Sequence, residues 1–96
     1  MDKLRNESTD LLFESILTLK SVDECYSFFE DICTIKEIQS IAQRVVVAKM
    51  LTEGSVYSDI VVATGASTAT ISRVNRSLNY GSDGYKIAFK RLEEQK

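Results

Sequence analysis

This chain of 96 residues predicts an all-helical fold, on three observations. It has no proline and only four glycines, and it lacks the Asn-Gly or Pro-Gly pairs that close tight hairpins. Its apolar residues recur at helical spacing rather than alternating. Two Ser/Thr-x-x-Glu boxes mark helix starts, and glycines mark the breaks. About six helices are expected, in one small domain spanning residues 1–96.

The first helix follows a polar start and carries Leu11, Leu12, Phe13, Ile16, Leu17 and Leu19. Ser21-Val22-Asp23-Glu24 reads as a capping box, in which the serine and the glutamate satisfy each other's backbone donors. The helix it opens is expected to bury Val22, Cys25, Phe28, Phe29 and Ile32, with Asp23, Glu24, Glu30 and Asp31 in solvent. A second box, Thr34-Ile35-Lys36-Glu37, opens a third helix that Gly54 stops from the C′ position. Between Ile41 and Leu51 this helix is apolar nearly all round, with Val45, Val46, Val47 and Ala48 in a row. Such a helix is central or lies in a subunit interface. A strand over the valines is the alternative, disfavoured by the i, i+3, i+4 spacing from Ile35 to Val45. A short helix then carries Ile60, Val61 and Ala63 up to Gly65. Ser67 caps the next helix, whose Ile71, Val74 and Leu78 form its core stripe. Gly81 and Gly84 break the chain, and Ser82 or Asp83 is expected to cap a last helix with Tyr85, Ile87, Ala88, Phe89 and Leu92.

Composition removes most chemistry. There is no histidine, so the commonest metal ligand and neutral-pH acid/base is missing. Cys25 and Cys33 have no activating histidine and no second pair, and they read as small apolar residues on helix faces. An enzyme, a metal site and a cofactor are therefore not expected. No apolar run is long enough to span a bilayer, the N-terminus has no apolar signal core, and a cytoplasmic location is the expectation. Net charge is −2, but it is unevenly spread. Residues 1–53 hold ten acids against six bases, and residues 54–96 hold four against six.

The segment from Tyr57 to Leu78 reads as a helix-turn-helix, because two short helical patterns meet at Gly65, where the turn needs a positive φ. Short hydroxyl side chains let a helix approach base edges closely, and Thr68, Thr70 and Ser72 supply them. Arg76 and Arg73 are long enough for guanine or phosphate. From Ser67 to Gly81 no acid intervenes, as a phosphate-facing surface requires. A solvated helical hairpin is the plainer alternative, yet it would favour Glu, Lys and Gln for helix propensity.

Ala42-Gln43-Arg44-Val45, Leu51 to Gly54, and above all the run from Gly65 to Arg73 (GASTATISR) resemble the Trp repressor superfamily, in particular its Trp-repressor-related YerC/YecD-type members. The direct resemblance covers about half the chain, from Thr34 to Leu78, with one residue fewer between Gly54 and Gly65 than the repressor has. It implies an intertwined homodimer: residues 1–54 form a helical dimerisation region, residues 56–79 the helix-turn-helix, and residues 82–96 a C-terminal helix. Two recognition helices then enter major grooves about 34 Å apart on a double-stranded operator. The match puts Thr68, Ala69, Thr70 and Ser72 at base-facing positions, and with Ser67, Arg73 and Arg76 they make up the expected DNA-binding set. It also gives Arg44, Arg73 and Ser77 as the residues around a tryptophan-like corepressor. The repressor's glycine after the second arginine is Val74 here, a branched side chain in space that an indole needs. Either a smaller or different effector binds, or the valine keeps the head in one posture with no ligand. The function implied is a DNA-binding transcriptional regulator, a repressor. The alternative is an effector-responsive or structural dimerisation module acting through protein partners.

Overall fold

The computed structural model describes residues 2–96. Those residues form six α-helices and one 3-10 turn at Asp2–Leu4, without a strand among them. The helices are α1 (Glu7–Leu17), α2 (Val22–Ile32), α3 (Ile35–Thr52), α4 (Tyr57–Thr64), α5 (Thr68–Tyr80) and α6 (Gly84–Glu94). The chain divides into two compact units, Met1–Ile35 and Lys36–Lys96.

In the first unit both helices begin on side-chain caps. The Asn6 amide oxygen accepts the Thr9 N–H at 2.8 Å and starts α1. Ser21 Oγ accepts the Glu24 N–H at 3.1 Å and starts α2. The second half of the expected box is displaced, because the Glu24 carboxylate accepts the Lys20 N–H at 2.9 Å. It reaches one residue further out while keeping its negative charge at the positive end of α2. Phe28 and Phe29 are half-buried and meet edge to face, their centroids 5.7 Å apart. The burial expected along α2 does not occur within the chain. No residue of α1 or α2 is buried; Val22 is 72% exposed, and Cys25 and Ile32 are exposed as well. Two short amphipathic helices make a single layer, and a single layer cannot cover its own apolar faces.

The second unit holds the core. Val47 and Ala48 of α3, Ile60 of α4, Ala66 of the turn, Ile71, Val74 and Leu78 of α5, and Phe89 of α6 form one buried cluster. The valine run is helical, and its four residues divide by face. Val47 and Ala48 are fully buried, whereas Val45 and Val46 remain exposed. α3 ends in a Schellman motif: Ser55 N–H donates to Met50 O at 3.0 Å, and Gly54 N–H to Leu51 O at 3.1 Å. Gly54 takes the left-handed φ of +87° that this motif demands, in the C′ place read from the sequence. α6 is fastened to α3 through Phe89, which lies under Lys49 Nζ (5.3 Å to the ring centroid) and stacks with Tyr85.

The start of α6 departs from expectation. Asp83 occupies the N-cap position, but its φ of +64° is left-handed, and neither it nor Ser82 supplies a capping side chain. A capping residue needs extended backbone to aim its oxygen at the first turn. The Asp83 carboxylate instead pairs with Lys86 at 3.6 Å. Among the described residues no helix is long and apolar enough to cross a membrane.

Candidate nucleic-acid interface

The helix-turn-helix, whose two helices form the head of the molecule, consists of α4, a short turn and α5, and the turn is built around Thr64 and Gly65. The Thr64 hydroxyl donates back to Ile60 O at 2.8 Å and accepts the Ala66 N–H at 3.1 Å. Gly65 follows with φ +72°, and its N–H donates to Val61 O at 2.9 Å. No atom lies within 4 Å of an added Cβ, so backbone conformation alone selects glycine here. Ala66 then turns a small side chain into the core, 3% exposed. Ser67 opens α5 by accepting the Thr70 N–H at 3.1 Å, and its own hydroxyl donates to Thr70 Oγ1 at 3.0 Å.

α5 has two faces of opposite character. Ile71, Val74 and Leu78 anchor one, at 0%, 2% and 8% exposure. On the other, Thr68, Ala69, Ser72, Arg73 and Arg76 are exposed, as is Ser67 before them. Thr68, Ser72 and Arg76 recur at i, i+4 and i+8 and so lie along one stripe. Thr70 is half-buried, its hydroxyl already engaged by Ser67. Neither Arg73 nor Arg76 makes an ion pair among the described residues, unlike Lys86 with Asp83 and Lys96 with Glu93. No acid lies between Asp59 and Asp83. Two free guanidinium groups and a set of small hydroxyls therefore share a surface with no competing carboxylate. Such a surface suits phosphate oxygens and base edges.

The effector candidates are not joined to one another. Arg44 is half-buried and donates along its own helix to Ser40 Oγ at 3.4 Å. Arg73 and Ser77 are exposed, and no hydrogen bond links any two of the three. Val74 belongs to the core beside Ile71 and Leu78. An open cleft of about 380 Å³ lies elsewhere, between α3 and α4, lined by Gln39, Ala42, Gln43, Val46, Ala63 and Thr64. At its edge the Gln43 side-chain amide donates to the Thr64 carbonyl at 3.0 Å, tying the end of α4 to α3 across 21 residues of sequence. Sequence reasoning did not single out Gln43 for a role. A lone amide on a helix has no periodicity of its own, and its only signal was its place inside the Ala42–Val45 match. Both cysteines are free, Cys25 exposed and Cys33 half-buried, and no cluster of metal-ligating side chains occurs among the described residues.

Known proteins share this architecture. The family model for the Trp repressor protein matches residues 7–93. The uncharacterized protein YerC of Bacillus subtilis (strain 168) is 61% identical over 94 residues, covering 98% of this chain and 90% of its own. A crystal structure of a TrpR-like protein from Eubacterium eligens superposes with a TM-score of 0.93 at 60% identity, covering 97% of this chain and 96% of that one. A candidate Trp repressor from Staphylococcus aureus gives 0.92 at 52% identity, covering 96% and 92%. The fold is thus that of a family of regulators rather than of enzymes. Sequence and fold agree from α1 to α6, and the chain belongs to the Trp repressor family.

Proposed function

We propose that the chain is a cytoplasmic, homodimeric, sequence-specific DNA-binding regulator that represses transcription by occupying an operator. The observation that carries this reading is the division of α5. Three buried side chains fix one face, while Thr68, Ser72, Arg73 and Arg76 stand free of carboxylates on the other. In the docking this supports, the leading turn of α5 enters the major groove, with Arg76 and Arg73 reaching guanine or phosphate. Family membership supports the same reading.

The dimer rests on the apolar surface that a single chain leaves open. Leu11, Phe13, Val22, Ile35, Val45 and Val46 are between 42% and 75% exposed. Soluble monomers rarely leave so many large apolar side chains in water, and a second copy of the chain is the occupant we assign to them. Two heads related by a two-fold axis then require a pseudo-palindromic site.

Selection from a random duplex library with the purified protein tests this function. Enrichment of a palindrome with half-sites about one helical turn apart is the expected result. If no sequence is enriched and the affinity depends on salt alone, the operator reading fails, and the protein-partner alternative takes its place.

A further inference from the structure

We propose that Val74 and Gln43 are positioning residues that hold α5 in its DNA-reading posture without a small-molecule ligand. The inference rests on the DNA-binding reading above and adds how that site is regulated. In the resemblance, an indole lies against Arg44 and Arg73, beside a glycine that leaves it room. The residues present here do not fit that ring. Val74 replaces the glycine and is 2% exposed, packed in the cluster that includes Val47, Ile60, Ile71 and Leu78. A ring placed there would have to displace methyl groups that a close-packed core already holds. Arg44, which would cover one face of the ring, donates to Ser40 on its own helix.

A ligand between the central helix and the reading helix would do two things: fill space behind α5, and tie the head to α3. This chain does both with its own side chains. Val74 fills, and Gln43 ties by donating from α3 to the Thr64 carbonyl one residue before Gly65. That carbonyl lies at the joint of the head, because the Thr64 hydroxyl also takes the Ala66 N–H that leads into α5. The Thr64, Ser67 and Asn79 side chains bond within one turn and cannot orient one helix against another. Gln43 links two elements and can.

The test is operator binding on a site obtained by selection, at a temperature where circular dichroism shows every variant folded. For the native chain, about 1 mM L-tryptophan should change neither the operator Kd nor the melting temperature, since a ligand that binds only the folded state must raise the latter. Gln43→Ala and Val74→Gly should weaken operator binding about tenfold, as if only about a tenth of the heads were in posture. Affinity for random duplex and its salt slope should stay unchanged, because phosphate contacts tolerate small rotations of the head and base contacts do not. Gln43→Lys, which restores a donor, should recover most of the loss. If Val74→Gly does not fold, Val74→Ala and the Gln43 pair carry the comparison. A tryptophan-dependent rise in operator affinity or in melting temperature overturns the proposal. So does an unchanged operator Kd in the variants, or an equal loss on specific and random DNA. The melting experiment needs no DNA, so a failed selection would sink the DNA reading and leave the ligand question answerable.

Discussion

At the scale of the residue, a guanidinium with no carboxylate in reach is held by water, and Arg73 and Arg76 are both in that state. In the proposed docking, their desolvation is repaid by contacts to the duplex. Arg76→Ala should cost about 1–3 kcal/mol of operator affinity if the side chain reads a guanine. If it meets only phosphate, the loss should be the same on every sequence and the salt slope should fall by about 1. Titrations on operator and random duplex at several salt concentrations separate the two. Thr70 is a different case. The resemblance implies a base-facing place for it, yet the residue is half-buried and its hydroxyl is bonded to Ser67, so part of its work is internal to the helix-turn-helix. Gly65 isolates a purely conformational effect. With φ at +72° and open space where a Cβ would stand, Gly65→Ala should cost about 1–2 kcal/mol in urea unfolding, all of it backbone strain. A cost near zero would mean that the turn relaxes to negative φ.

At the scale of the element, α5 depends on its first turn, where the residues are weak helix formers and no acid supports the positive end. Ser67→Ala should therefore lower the unfolding free energy by about 1 kcal/mol in denaturant titration. It should also weaken operator binding, since the frayed turn carries Thr68 and Ala69. Unchanged binding in a destabilised variant would place the contact surface further along α5. Elements of this kind were legible because their signals are local. Ser21, Gly54, Gly65 and Ser67 each act on atoms within a few residues, and each stands in the structure where its chemistry places it. The start of α6 was not legible, because an aspartate in left-handed backbone and a capping aspartate are the same letter in the sequence. The collision an added Cβ would make with the Ser77 carbonyl at Gly81 depends on how α5 ends, which composition does not record. Gln43 was hidden for a related reason: its partner lies 21 residues away, and the sequence carries no mark of the pairing.

At the scale of the whole molecule, the sequence identified an over-apolar α3 but not which of its residues the chain itself would cover. Val47 and Ala48 go inward; Val45 and Val46, adjacent and chemically alike, do not. The same gap explains α2, whose expected burial needs a second layer that one chain does not provide. A substitution at Val45 therefore discriminates between monomer and dimer. On a free surface Val45→Glu is a change of exposed side chain, with an effect within about 0.5 kcal/mol. In a packed interface it puts an unpaired charge into each of two symmetric contacts, a cost of several kcal/mol apiece. Light scattering of the native chain should give twice the mass of 10.8 kDa. Val45→Glu should give the single mass with its helical circular dichroism largely kept in the second unit. Operator affinity should collapse with the dimer, because each head alone loses the effective concentration that the other supplies. A native chain that scatters as one copy, or a Val45→Glu variant that remains dimeric and binds as before, would remove the two-fold docking from this account.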